Sequence, residues 1–205
     1  MKRPIAELLT MEHNAGAESA RTQYDREIWQ ILRRKQGYVT HRIYQDLTEP
    51  RHLLVYSEWE SKKALDGARQ HLQGTPLMRR ARAALSAAPP RLIVEIGGPV
   101  TSTKGLALPD GAVAARILIH LVSNGDKWHG QEEKLWRTLS NQTGHLASIV
   151  FRGFEEPLLV GSFSHWVDAD AFERARVHFD EVVTLGGAEP PSQQLEYRLY
   201  RPLRD

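Results

Sequence analysis

The chain contains no cysteine. That single absence excludes disulfides, thiolate nucleophiles and cysteine-based metal sites together. Nowhere do about 18 apolar residues run consecutively, the length a membrane-crossing helix needs, and no such run follows the charges of the N-terminal MKRPIAELLTMEH. These features lead us to expect a soluble, cytoplasmic protein without a membrane partner. Charge of one sign is scarce too: 27 Lys and Arg against 25 Asp and Glu leave a formal charge of +2. Without a basic stripe, a nucleic-acid partner is not expected. The densest basic groups, Arg33-Arg34-Lys35 and Arg79-Arg80, fall near the ends of expected helices, where a cation meets the negative end of the helix dipole.

Several signatures are also missing. There is no His-x-His or acid-flanked histidine pair at ligand spacing, so no metal site is expected. Gly97-Gly98 and Gly186-Gly187 stand alone, without the pattern of a phosphate loop, and no Gly-x-Ser-x-Gly marks a serine hydrolase.

What the sequence does contain is a repeat. Residues 24–72 align with 131–179 without a gap. Identical pairs include Trp29/Trp136, Leu32/Leu139, Gly37/Gly144, Glu49/Glu156, Pro50/Pro157, Ser57/Ser164, Trp59/Trp166, Ala64/Ala171, Ala68/Ala175, Arg69/Arg176 and His71/His178. Two tryptophan pairs in register, in a chain with five Trp, are hard to obtain by accident.

Each copy reads as strand, helix, strand, strand, helix, strand. In the first, Ile5 to Met11 is a short apolar strand, and Glu18 to Lys35 carries Tyr24, Ile28, Ile31 and Leu32 at helical spacing before Gly37 stops it. Tyr38 to Asp46 and His52 to Trp59 make a hairpin around Thr48-Glu49-Pro50. Ser61 can cap the next helix, with Ala64, Leu65, Ala68 and Leu72 as its apolar stripe, and Arg91 to Ile96 closes the unit. The second copy gives a strand at 116–122, a helix at 130–140, hairpin strands at 145–154 and 158–166, a helix opening at Asp168 and a strand at 195–200. We therefore expect one unit over residues 1–98, a breaker-rich linker over 99–111 and a second unit over 112–205. Helices on one face of an antiparallel sheet leave the other face uncovered, and a chain carrying the unit twice can cover both without a partner.

The hairpin and the helix after it resemble the antibiotic biosynthesis monooxygenase-like group of the dimeric α+β barrel superfamily. The likeness runs from Gly37-Tyr38 to Glu58-Trp59-Glu60-Ser61-Lys62-Lys63-Ala64-Leu65 and on to His71, and again from Gly144-His145 to His165-Trp166-Val167-Asp168-Ala169-Asp170-Ala171-Phe172 and on to His178. The resemblance implies an α+β fold of two ferredoxin-like units forming an intramolecular dimeric α+β barrel. It also implies a cofactor-free oxygenase in which an aromatic or polyketide-type phenol, once deprotonated, activates dioxygen itself. Isomerisation or cyclisation on the same fold, and a non-catalytic protein that binds a hydrophobic metabolite, are the alternatives. Haem degradation fits less well: Ala68 and Ala175 stand where those relatives carry a bulky aromatic, and neither first strand has an asparagine.

On this resemblance Trp59 and Trp166 lie beside the substrate cavity, able to stack on a ring or donate an N–H to a bound oxygen. His71 and His178 become candidate general bases, since helical phase puts His71 near the Ala64 and Ala68 face. His41 and His120 interrupt otherwise apolar strands and need partners if buried. Tyr56 and Phe163 are expected to line the cavities, and Arg69 and Arg176 either clamp an anion or pair with an acid. His41 aligns with Ser148, so the two cavities are not equivalent. Pairing of the tandem chain into a homodimer is left open.

Overall fold

A computed structural model describes residues 4–97, 106–120, 131–156, 158–185 and 194–203. The fold class is α+β, built of ferredoxin-like strand–helix units whose paired strands run antiparallel. The chain divides into two compact units, Met1–Ile93 and Val94–Arg204. Most of the expected linker, residues 99–105, and the end of the strand expected at 116–122 lie outside the described residues.

In the first unit, β1 (Ile5–Glu12), β2 (Tyr38–Asp46) and β3 (His52–Trp59) form an antiparallel set with β3 in the middle. Helices α1 (Glu18–Leu32) and α2 (Lys62–Leu72) follow the order read from the sequence. The Ser61 hydroxyl accepts a hydrogen bond from the Ala64 amide at 3.2 Å, the cap that starts α2. Leu65, Ala68 and Leu72 are its buried face. A third helix, α3 (Pro76–Ala83), was not foreseen. Thr75 caps it and Pro76 occupies its first turn, a start signal that its Arg-rich, stripe-free sequence obscured. It lies against α1, with the Arg80 guanidinium 5.8 Å from the centre of the Tyr24 ring. Strand β4 (Arg91–Gly97) begins in this unit, where the Thr10 amide donates to Pro90.

The second unit contains β5 (Val113–His120), α4 (Gln131–Ser140), β6 (His145–Gly153), β7 (Leu159–Trp166), α5 (Ala169–Leu185) and β8 (Gln194–Pro202). Strand β7 lies between β5 and β6, β8 pairs with β5, and Val94–Gly97 of β4 pairs with β6. The first strand thus starts at Val113, earlier than the expected Arg116. Alanines 114 and 115 hid its beginning because alanine carries little strand signal.

The register settles an alignment the sequence could not. Ile5 stands opposite Trp59 as Val113 stands opposite Trp166, so Glu7 corresponds to Ala115 and Glu12 to His120.

One glycine per unit has a defined structural task. Gly37 and Gly144 both have positive φ, and a Cβ at either would lie 2.6 Å from the Cβ of Ala64 or Ala171 on the second helix. The Gly37 carbonyl accepts from the Glu60 amide and the Gly144 carbonyl from the Val167 amide. Each hairpin is thereby held tight against the start of the helix that follows it.

Candidate functional site

Each unit has a layer of side chains between its sheet and its helices. Residues directly opposite each other on neighbouring strands share a face. In the first unit Ser57 stands between Glu7 and His41, and Trp59 between Ile5 and Tyr38. In the second, Ser164 stands between Ala115 and Ser148, and Trp166 between Val113 and His145. One step further along, Val55 between Leu9 and Ile43 corresponds to Ser162 between Ile117 and Val150. That this is the helix side follows from contacts: Arg69 of α2 reaches Glu7, Trp29 of α1 stacks on His41, and Trp166 packs with Leu139, Ala171, Phe172 and Ala175.

The layer of the first unit is filled and internally paired. The Arg69 guanidinium holds the buried Glu7 carboxylate in a close ion pair. The His41 ring lies parallel to Trp29, centroids 4.0 Å apart, and its Nδ1 shares a hydrogen bond of 2.7 Å with the Tyr38 hydroxyl. The Trp59 Nε1 donates to the Ser57 hydroxyl at 3.0 Å, and Tyr38 meets the Trp59 ring edge-on. The buried histidine has the partner it was expected to need.

The second unit keeps one of these arrangements and loses the others. Trp166 Nε1 donates to Ser164 at 2.8 Å, and His145 meets the Trp166 ring edge-on as Tyr38 meets Trp59. But Ala115 replaces Glu7, Ser148 replaces His41 and Ser162 replaces Val55, so smaller side chains lie across three neighbouring strands. Arg176, without a glutamate opposite it, pairs with Glu173 on its own helix at 2.9 Å and donates to the Tyr197 hydroxyl at 2.6 Å. Trp136 Nε1, His145 Nε2, Ser148 Oγ and Ser162 Oγ are buried without a hydrogen-bond partner among the described residues. Ser148 and Ser162 are wholly excluded from solvent. Leaving such groups unpaired costs about 1–3 kcal/mol each.

Burial holds the His145 imidazole below the usual histidine range, against an opposing hydrogen bond to the Ala147 backbone. That bond favours the protonated ring, as a bond to a carbonyl does, and Nε2 is the nitrogen without a partner. The proton of the neutral ring therefore sits on Nδ1, and Nε2 presents a lone pair.

The residues singled out from the sequence separate into groups. Trp59 and Trp166 are fully buried in this layer, but their N–H groups are committed to Ser57 and Ser164 rather than open to a bound oxygen. His71 and His178 were expected on the inner helix face, and both are exposed. The reason is phase: Leu65, Ala68 and Leu72 centre the buried stripe of α2 well to one side of His71, and Ala171, Phe172 and Ala175 do the same for His178. Tyr56 and Phe163 also depart from expectation. Strand alternation puts them on the face opposite Trp59 and Trp166, where the Tyr56 hydroxyl donates to Glu58 at 2.8 Å and Phe163 meets His165 edge-on. They therefore do not line the layer that holds the tryptophans. His120 ends β5, opposite Leu159 and Gln194. Arg69 and Arg176 both pair with acids.

Sequence reasoning passed over His145, Ser162 and Trp136 as site residues, and took Ser148 only as the counterpart of His41. Tyr38/His145, His41/Ser148 and Val55/Ser162 are mismatches within the repeat, but so are the neighbouring Thr40/Ala147, Arg42/Ile149 and Leu54/Gly161, so mismatch alone did not single them out.

Residues 4–84 match the family of antibiotic biosynthesis monooxygenases. Among solved structures, a candidate monooxygenase of Fusobacterium nucleatum is 12% identical, with a TM-score of 0.75, covering 99% of this chain and 94% of its own. An anthrone oxidase-like protein is 13% identical, with a TM-score of 0.64, covering 99% and 92%. A candidate chlorite dismutase is 14% identical, with a TM-score of 0.67, covering 100% and 96%. At such identities the likeness is one of fold. No curated protein matches the sequence.

Proposed function

We propose that this chain, which carries an antibiotic biosynthesis monooxygenase domain over residues 4–84, is a monooxygenase acting on an aromatic or polyketide-type phenol, with the substrate anion as the reductant of dioxygen. The observation that carries the reading is the second unit's layer, where hydrogen-bonding atoms of Trp136, His145, Ser148 and Ser162 lie without a partner among the described residues, His145 edge-on to Trp166. An apolar wall with a few convergent polar groups suits a flat, sparsely hydroxylated ring system. The family match and the monooxygenase and anthrone oxidase-like neighbours support the same chemistry.

For an anthrone-like substrate the reaction balances without a further reductant. The aryl methylene loses two hydrogens, one oxygen atom of dioxygen becomes the new carbonyl, and the other leaves as water. The electrons come from the substrate carbanion, so the protein has only to accept a proton and stabilise the anion. No cofactor is needed for that sequence of steps.

Incubating the full chain with anthrone while following oxygen uptake and quinone absorbance tests the reading. Uptake well above that of buffer, with one dioxygen consumed per quinone formed, is the expected result. A rate equal to the buffer control, or enolisation without oxygen uptake, would favour the non-catalytic or isomerase alternatives.

A further inference from the structure

We infer that the two halves divide the work: the second unit binds the phenol, and His145 takes its proton, while the first unit's corresponding place is closed. The inference rests on the aromatic-substrate reading above and says which half, and which residue, performs it.

The argument compares like with like. At the place where the first unit has Glu7, Ser57 and His41 across three strands, the second has Ala115, Ser164 and Ser148. A carboxylate and an imidazole in the first unit stand where the second has a methyl and a hydroxymethyl, although Phe172 there is larger than its counterpart Leu65. In the first unit each polar group has found a partner inside the protein: Glu7 with Arg69, His41 with Tyr38, Trp59 with Ser57. A ligand entering there would have to break a buried ion pair and pull His41 away from Trp29. In the second unit the Trp166–Ser164 bond is kept, but Trp136 Nε1, His145 Nε2, Ser148 Oγ and Ser162 Oγ have no partner among the described residues for a ligand to displace.

The chemistry of those atoms defines the occupant. Trp136 Nε1 can only donate, His145 Nε2 can only accept while the ring is neutral, and Ser148 and Ser162 can do either. The complement is a planar molecule with an acidic O–H for the imidazole and a carbonyl or second oxygen for the donors, which is a hydroxyaryl ketone. Binding moves the phenolic proton to His145 Nε2, leaving a phenolate beside an imidazolium whose Nδ1–H is held by the Ala147 backbone. The residues that the family match recognises, 4–84, thus belong to the closed half.

Alizarin, a hydroxyanthraquinone whose colour reports ionisation of its phenol, serves as the probe. Titrated into the full chain, it is expected to bind once per chain and shift to the phenolate spectrum. His145→Gln should abolish the shift and weaken binding about tenfold or more, the worth of a charge-assisted hydrogen bond. Ser148→Val, which fills the layer without touching the imidazole, should weaken binding as well. Tyr38→Phe and His41→Gln should change neither measurement. Circular dichroism of each variant establishes that it is folded. If wild-type protein binds alizarin but His145→Gln and Ser148→Val leave affinity and spectrum unchanged, or if the first-unit variants abolish them, the division proposed here is wrong while the aromatic reading stands. If wild-type protein does not bind alizarin at all, both fall.

Discussion

His145 and Tyr38 occupy one position in the repeat, an imidazole in one unit and a phenol in the other. Tyr38 shares a hydrogen bond with His41, whereas His145 is half-buried with Nε2 unpartnered among the described residues, and burial lowers its pKa below the ordinary histidine value. A base whose folded pKa is depressed binds fewer protons in the folded state than in the unfolded chain. Stability therefore rises with pH across that range and is lost as pH falls below the ordinary value of 6.5. Urea melts of wild type and His145→Gln from pH 7.5 down to 4.5 check this. The wild-type curve should fall faster than the variant's once the pH is below about 6.5, and parallel curves would mean that His145 carries no penalty for protonation. The same residue shows where single-sequence reading stops. His145 stands after a glycine at the mouth of a strand, and nothing in that position marks it out. His71 and His178, by contrast, drew attention by being identical in both copies, yet both are exposed. Identity between the repeats marks buried packing at Trp59/Trp166 and Ala68/Ala175 and an exposed helix position at His71/His178, so identity alone does not point to a site.

Among the elements, those whose stability is local were legible. Strands β1 to β3 and helix α2 agree with the reading almost to the residue, because their alternation, their caps and Gly37 each act over a few residues. The repeat carries its caps along: Ser61 accepts from the Ala64 amide at 3.2 Å, and Asp168, at the matching position, accepts from the Ala171 amide at 2.7 Å. Replacing either by alanine should cost about 1 kcal/mol. The Asp168 contribution should shrink as salt is added, because a carboxylate at a helix start also meets the positive end of the dipole. Chemical denaturation of Ser61→Ala and Asp168→Ala at low and high salt measures both effects, and equal salt responses would contradict the dipole contribution. Helix α3 escaped notice for lack of an apolar stripe, and the start of β5 because Ala114 and Ala115 say little about strand or helix. The face on which Tyr56 and Phe163 lie could have been had from alternation alone, counting back from each tryptophan.

At the scale of the whole chain, duplication leaves one copy free to change once the other supplies a stable unit. The first unit has used its interior polar groups for self-pairing, and the second has exchanged them for small residues and unpaired atoms. Marginal stability sets a bound on this, since each unpaired buried group draws on a total of about 5–15 kcal/mol. Such groups persist in a fold where an occupant satisfies them. The repeat and the fold class could be read from residues 24–72 against 131–179. The asymmetry between the sites could not, because it depends on Glu7 corresponding to Ala115, and strand register fixed that pairing. A crystal structure of the full chain grown with alizarin is the most direct test. The account predicts density for one molecule in the second unit, its phenolic oxygen within hydrogen-bond reach of His145 Nε2 and its rings against Trp166. Density beside His41 and Tyr38 in the first unit, or equally in both, would contradict it.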